Sequence, residues 1–141
     1  MKRKGSAEWM GSLKEGKGTV TSDSGVLNKA AYSFGTRFES QQGTNPEELI
    51  AAAHAGCFSM AFSAELGRNG MTPEFVRTNA TMSFEKLEAG WTGTSIHLDV
   101  AVKVAGADAA KVMELANVAK TNCPVSRLLN AKITMEAKIE T

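Results

Sequence analysis

The chain has 141 residues and a formal net charge of only +1, from 16 Lys and Arg against 15 Asp and Glu. So small a charge gives little attraction to nucleic acid or to an anionic membrane, and neither is expected as a partner. Hydrophobic residues make up 43% and charged residues 22% of the sequence, which excludes disordered and collagen-like classes. The length predicts a single domain over residues 1–141.

The N-terminal segment predicts a cytoplasmic protein. Its positive residues run directly into Ser6 and Glu8, where a signal peptide would require an apolar stretch. The longest uncharged run, between Glu48 and Glu65, has 16 residues and is short for a membrane span of about 20. Two cysteines without an export signal are expected to stay reduced.

Glycines break the first 45 residues into short pieces, which is typical of strands joined by turns. Strands are expected over residues 6–10, 18–21 and 32–39. Alternation in the third strand would place Arg37 on the face opposite Phe34, Thr36 and Phe38, where solvent is the default surrounding.

A helix start is predicted at residues 44–48, with Asn45 as N-cap and Pro46 in the first helical position. Glu48 lies three residues after the cap and would complete an arrangement like a capping box. Glu47 in the first turn is sufficiently explained by the helix dipole. Residues 49–66 are apolar or small on nearly all sides, which predicts a helix buried on most faces, and residues 67–70 end it. A chain of this size supplies little cover for such a helix, so a partner subunit is expected to contribute.

The remaining residues predict a strand hairpin, a helix and a final strand. Apolar residues alternate over 76–85 and again over 96–104, which indicates an antiparallel pair turning near 88–90. Residues 108–121 return to helical spacing, and residues 131–139 alternate once more. The expected fold class is therefore α+β.

The two cysteines lie 66 residues apart, and no Cys-x-x-Cys motif is present. Cys57 is in the middle of the apolar helix, and Cys123 precedes Pro124, which is expected to open a short helix reaching Leu129. Free cysteine is among the most buried residue types. The residues themselves therefore leave open whether the thiols are inert packing or a redox pair.

Zinc is a weaker alternative. His54 and Cys57 are three residues apart and would share a helix face, but structural zinc takes four ligands and the chain has two Cys and two His in total. His97 is expected on the polar face of its strand, away from these residues. No metal site is predicted, and His54 is interpreted as a packed or hydrogen-bonded core histidine.

Several motifs together resemble the OsmC and organic hydroperoxide resistance family. They are GTNPEEL at 43–49, AAHAGCFSM at 52–60 and CPVS at 123–126, supported by GKGTV at 16–20 and TRFE at 36–39. The resemblance extends over nearly the whole chain. It implies a thiol-dependent peroxidase with antiparallel sheets wrapped around long central buried helices in an intertwined homodimer.

The resemblance also implies roles for four residues. Cys57 would be the peroxidatic cysteine and Cys123 the resolving one, Arg37 the active-site arginine, and Glu47 the glutamate of the Asn-Pro-Glu motif. Organic hydroperoxides would be the substrates and an external dithiol the reductant, with no bound cofactor. Gly56 stands where the family often has Ala.

Elementary electrostatics indicates why Arg37 would be needed. A thiol of pKa about 8.5 is only a few per cent ionised at neutral pH, and lowering that pKa by about two units requires roughly 2.7 kcal/mol. A cation about 4 Å away offers roughly 4 kcal/mol at an effective dielectric constant of 20. Glu47 would orient Arg37 as a bidentate pair. Because Glu47 precedes Cys57 by ten residues, roughly 15 Å along a helix, it is expected to come from the partner subunit.

The implied reaction is attack of the Cys57 thiolate on a hydroperoxide, followed by a disulfide with Cys123. Phe58, Met60 and Phe62 are expected to place apolar surface near the sulfur and to favour organic hydroperoxides. The alternative function is a non-catalytic redox sensor or interaction protein in which the same thiols oxidise without turnover.

Overall fold

The computed structural model describes all 141 residues, which form an α+β structure as predicted. The chain divides into two compact units, Met1–Leu49 and Ile50–Thr141. The single domain over residues 1–141 stays a prediction.

The first unit is built on a three-stranded antiparallel sheet. Its strands are β1 (Gly5–Met10), β2 (Lys17–Ser22) and β3 (Ala30–Ser33), in the order β1-β2-β3. The first two strands agree closely with the sequence-based prediction.

The third predicted strand, residues 32–39, is wrong from residue 34 onward, because β3 ends at Ser33 and the short helix α1 (Phe34–Phe38) follows. Ser33 Oγ accepts a hydrogen bond from the backbone N–H of Thr36 at 3.2 Å, and Thr36 Oγ1 accepts one from the backbone N–H of Ser33 at 2.8 Å. This reciprocal capping box stabilises the first helical turn and outweighs the alternating pattern. Arg37 therefore lies on a helix and not on one face of a strand.

Helix α2 (Pro46–Arg68) begins as predicted. Asn45 Oδ1 accepts a hydrogen bond from the backbone N–H of Glu48 at 2.8 Å, so Asn45 is the N-cap. The Glu48 carboxylate does not complete the expected box; it accepts from Thr44 Oγ1 at 2.8 Å. The helix ends where Gly70 adopts a φ of 74°, a conformation that glycine reaches without strain.

Burial along α2 is confined to one stripe of residues four apart, namely His54, Phe58, Phe62 and Leu66. Met60, on another side, has 78% of its surface exposed. The predicted burial on most faces is therefore not met within one chain, and cover from a partner subunit stays a prediction.

By length and composition alone, α2 would be long and apolar enough to cross a membrane. The core helix of a soluble protein meets the same criterion, so one such helix is weak evidence for a membrane span.

The second unit contains a sheet of three strands in the order β4-β5-β6. Strands β4 (Phe75–Leu87) and β5 (Gly90–Lys103) form the predicted antiparallel hairpin. Helices α3 (Ala109–Asn122) and α4 (Pro124–Leu128) then lead to β6 (Lys132–Glu140), which pairs with β5 in parallel. The expectation of purely antiparallel sheets is wrong for this pair, because the two helices form the crossover that a parallel connection requires.

The core of the second unit joins the buried stripe of α2 to β5 and α3. Its fully or nearly fully buried members are Phe58, Phe62, Leu66, Ile96, Leu98, Val100, Val102, Val104, Val112, Leu115, Ala116, Ala119 and Cys123. Four of these residues, Val112, Leu115, Ala116 and Ala119, form the buried stripe of α3, with the helical spacing expected for residues 108–121. This core fixes the side of α2 that faces the sheet, and with it the direction of the Cys57 side chain.

Truncating Phe62 tests how strongly this core holds α2. Phe62→Ala is expected to lower the free energy of unfolding by about 3–5 kcal/mol, because it leaves a cavity where a fully buried ring packed. Denaturant unfolding measures the change. Ser63→Ala, at the adjacent exposed position, is the control and should stay within about 0.5 kcal/mol of the wild type. Equal stabilities for the two variants would contradict the assignment of the core.

Candidate functional site

The structure brings the two cysteines together. Cys57 lies on α2 and is partly buried, whereas Cys123 is fully buried, and both are free thiols. The Cys57 sulfur lies close enough to the Cys123 thiol and to the backbone N–H of Val125 for both groups to affect its pKa. Of the two readings left open by the sequence, the geometry favours a pair of interacting thiols over two separate packing residues.

Cys123 reaches this place because it stands between two helices. Its backbone N–H donates to the carbonyl of Ala119 at 2.8 Å and caps α3, while its carbonyl accepts from Arg127 N–H at 3.0 Å in α4. Pro124 has no N–H to continue α3 but fits the first position of α4. The Cys-Pro sequence therefore sets the junction at which the second sulfur points into the core.

Within one chain, the groups around Cys57 keep its thiol protonated. Burial is the largest effect and raises the pKa of Cys57; the Val125 N–H lowers it, and the Cys123 thiol raises it again. The net pKa lies above that of an ordinary cysteine. The local surroundings of Cys57 in its own unit thus do not supply the stabilised thiolate that peroxide chemistry requires.

Arg37 and Glu47 form the predicted bidentate pair, and they do so within one chain. Arg37 Nε donates to both Glu47 carboxylate oxygens at 3.0 and 3.2 Å, and Nη2 donates to Oε1 at 2.6 Å. Glu47 projects from the first turn of α2 and Arg37 from α1. The carboxylate therefore fixes the orientation of the guanidinium, which is the positioning role expected of it.

An apolar pocket of about 250 Å³ lies beside Arg37 in the first unit. Most of its lining is aromatic or aliphatic, with Trp9, Leu13, Tyr32, Phe34 and Phe38 among its walls. The guanidinium carbon lies 5.2 Å from the centre of the Phe38 ring. This pocket was missed because residues 34–38 were predicted as a strand; the Ser33-x-x-Thr36 spacing was the signal that could have found the helix.

Phe58 and Phe62 do not line a substrate surface. Both rings are fully buried, with their centres 5.8 Å apart, so the expectation that they offer apolar surface beside the sulfur is wrong. They are four residues apart on the core stripe of α2. Of the three residues named for that role, only Met60 is exposed. At Gly56, no atom of the chain lies within contact distance of the position that an alanine methyl would take. Glycine in place of alanine therefore removes no packing contact within this chain.

His54 is a core histidine, as predicted. It is fully buried, and its Nε2 lies 2.8 Å from Ser126 Oγ on α4. Its Nδ1 is buried with no hydrogen-bond partner. Burial lowers the pKa of His54, so the ring is neutral at neutral pH.

A third group of chemically capable side chains lies on β5 and β6, and sequence reasoning did not identify it. Ligand atoms of His97, Asp99 and Glu136 lie within 4.8 Å of one another on the partly exposed face of the sheet. His97 Nδ1 is 2.7 Å from Thr134 Oγ1. Register explains the cluster, since Asp99 pairs with Glu136 and His97 with Thr134. The cluster includes neither His54 nor Cys57, the residues from which a zinc site was considered.

Two free thiols that lie near each other in an α+β unit are the main chemical feature of this site, and comparison with known sequences gives the family. The profile described as OsmC-like protein matches residues 39–138. Peroxiredoxin OsmC of Escherichia coli K12 is 50% identical over 138 residues, covering 98% of this chain and 96% of the relative. Organic hydroperoxide resistance protein OhrB of Bacillus subtilis is 27% identical over 124 residues, 87% of this chain and 89% of the relative. The chain belongs to the OsmC family.

Solved structures agree with this assignment. The crystal structure of Bacillus subtilis OhrB matches with a TM-score of 0.71 at 27% identity, over 96% of this chain and 98% of that one. An OsmC-like protein of unknown function from Vibrio cholerae matches with a TM-score of 0.77 at 17% identity, over 98% and 99% of the two chains. The second likeness shows the shared fold alone.

The buried neutral His54 predicts a pH dependence of stability. Unfolding releases the ring to an ordinary pKa of about 6.5, so below that pH the unfolded chain binds a proton that the folded chain does not. The free energy of unfolding should therefore fall with decreasing pH, by at most about 1.4 kcal/mol per unit from this group.

Denaturant unfolding between pH 5 and 7 measures this slope in the wild type and in His54→Gln. His54→Gln should lose the part of the pH slope that this buried ring contributes. His97→Gln removes the other histidine, which is partly exposed, and should retain that part of the slope. A slope that disappears with His97 and not with His54 would contradict the assignment.

Proposed function

We propose that this protein is a cysteine-based peroxidase that reduces organic hydroperoxides to alcohols. The observation that carries the proposal is the proximity of the Cys57 sulfur to the Cys123 thiol, which is close enough to affect its pKa. A peroxidase-type role is supported by relatives named peroxiredoxin OsmC and organic hydroperoxide resistance protein OhrB.

The proposed cycle has three steps. The Cys57 thiolate attacks the distal oxygen of the hydroperoxide, forms an S–O bond as the O–O bond breaks, and releases the alcohol. The resulting sulfenic acid condenses with the Cys123 thiol to a disulfide and water. An external dithiol then reduces the disulfide by thiol–disulfide exchange, so no bound cofactor takes part.

The first step requires a cation, because the groups around Cys57 in its own unit raise the pKa of that thiol. Arg37 is proposed to supply it, with Glu47 holding the guanidinium in place. Glu47 and Cys57 lie ten residues apart on the continuous helix α2, which is roughly 15 Å along its axis. The arginine is therefore proposed to come from the partner subunit of a homodimer.

The exposed side of α2 supports such a dimer. Ala52, Ala53, Gly56 and Met60 are exposed there, and an apolar helix face of this kind is usually covered by protein. A second copy would bring its own Arg37–Glu47 pair with it. We place the assembled enzyme in the cytoplasm, where free thiols persist and no nucleic acid or membrane is required as a partner.

The preference for organic hydroperoxides is drawn from the pocket beside Arg37. Its aromatic and aliphatic walls suit an alkyl group, while the guanidinium is suited to the peroxide oxygen. In the assembled dimer the pocket would hold the organic part of the substrate as Arg37 approaches the sulfur.

Cys57→Ser tests the peroxidase directly. Consumption of cumene hydroperoxide with dithiothreitol as reductant should fall to background, because a hydroxyl at this position is not oxidised to a sulfenic acid. Without reductant, Cys123→Ser should still consume the first equivalent of peroxide and then accumulate oxidised Cys57 without an intramolecular disulfide. Full activity in Cys57→Ser would remove the proposal, and consumption that stops after one equivalent in the wild type with reductant present would favour the redox sensor.

Mixed dimers test whether Arg37 acts across the subunit interface. Cys57→Ser and Arg37→Gln are each expected to be inactive as homodimers. When they are co-expressed with two different tags and purified on both, one site combines an intact Cys57 with an intact Arg37 from the other subunit. About half of the wild-type activity should return.

The control is a doubly tagged dimer in which one subunit carries both substitutions and the other is wild type. Its single intact Cys57 then faces the substituted Arg37, and it should be inactive. If this control is active while the first mixed dimer is not, Arg37 acts within its own chain and the trans arrangement is wrong.

A further inference from the structure

The contact between His54 and Ser126 joins the two helices that carry the reactive thiols. His54 Nε2 lies 2.8 Å from Ser126 Oγ, with His54 on α2 and Ser126 on α4. We propose that His54 and Ser126 are positioning residues for disulfide formation: they hold α4, and with it Cys123, against Cys57. The proposal rests on the peroxidase function proposed above.

The placement of the four residues supports this role. His54 precedes Cys57 by three residues and Ser126 follows Cys123 by three, so each lies one helical turn from a cysteine. The Val125 N–H lies near the Cys57 sulfur, and the adjacent Ser126 Oγ lies 2.8 Å from His54 Nε2. The start of α4 therefore faces the part of α2 that carries Cys57, and the His54–Ser126 contact holds it there.

Stability alone does not explain a histidine at this position. The ring is fully buried, and its Nδ1 has no partner. An unpaired buried polar nitrogen is unfavourable, whereas an apolar side chain of similar size would pack in the same space without that cost. What the histidine adds over an apolar residue is the directional contact to Ser126.

That contact bears on one step of the cycle. In disulfide formation the Cys123 sulfur bonds to the Cys57 sulfur, the S–O bond of the sulfenic acid breaks, and its hydroxyl leaves with the Cys123 proton as water. The competing step is attack of the sulfenic acid on a second hydroperoxide, which gives a sulfinic acid and another alcohol. Only the first step depends on where α4 places Cys123, so a displaced α4 should shift the ratio of the two products.

Ser126→Ala removes the contact with the smallest change. The double variant His54→Leu with Ser126→Ala also removes the unpaired buried nitrogen, and it should be as stable as the single variant or more so. Ser126→Thr retains the hydroxyl and should restore wild-type behaviour. Ser59→Ala is the matched control, because it removes a hydrogen bond of the same 2.8 Å length from α2, to Thr78 Oγ1 on β4 and not to α4.

Reduced protein is mixed with excess cumene hydroperoxide without reductant, and intact mass and peptide mapping give the ratio of Cys57 sulfinic acid to Cys57–Cys123 disulfide. The ratio should rise roughly fivefold in Ser126→Ala and in the double variant, the effect of losing one ordinary hydrogen bond. The rate of the first oxidation, measured in the same experiment, shows how far the shift of α4 also affects Cys57 itself through the Val125 N–H. Ser59→Ala and Ser126→Thr should match the wild type.

Two outcomes separate the inference from the function on which it rests. If the wild type forms the disulfide and the Ser126→Ala ratio equals that of Ser59→Ala, the positioning role is wrong and the peroxidase stands. If the wild type consumes no hydroperoxide and forms no disulfide, the peroxidase proposal fails and the positioning role fails with it.

Discussion

The proximity of the Cys57 sulfur to the junction between α3 and α4 is the constraint on which the proposed chemistry depends. Cys57 lies beside the core stripe of α2, so the packing of that stripe against β5 and α3 determines where its sulfur points. Cys123 ends one helix and begins the next because Pro124 interrupts the hydrogen-bonding ladder. Two sulfurs distant in the sequence thus meet through ordinary core packing and one proline, without strain in either helix.

Each of the two units carries one electrostatic feature that the proposed mechanism uses. In the second unit, burial raises the pKa of Cys57 and a single backbone N–H opposes it. In the first, Glu47 holds Arg37 in a bidentate pair beside an apolar pocket. A free carboxylate next to the sulfur would disfavour the thiolate, whereas a carboxylate already bound to the guanidinium serves to aim it. The proposed dimer would bring these two halves of one site together.

Some sequence patterns predicted local structure wrongly or incompletely, and contacts in the folded chain explain the difference. Residues 34–38 alternate like a strand, but the reciprocal hydrogen bonds of Ser33 and Thr36 form a helical turn and place Arg37 on it. Phe58 and Phe62 follow Cys57 closely in sequence, yet their spacing of four puts them on the core stripe, where both rings are fully buried. A final alternating strand was correctly predicted, but alternation does not reveal whether its neighbour runs parallel or antiparallel.

The sequence by itself determined the α+β class, the start of α2 at Asn45, the hairpin and the α3 stripe, because caps and hydrophobic periods act over a few residues. Its motifs also indicated the family and singled out both cysteines with Arg37 and Glu47. Only the tertiary structure decided that the thiols lie near each other, that His54 contacts Ser126 and that β6 lies parallel to β5. Those facts join segments far apart in the chain, and such pairings are set by packing of the whole core and leave no local pattern in the residues.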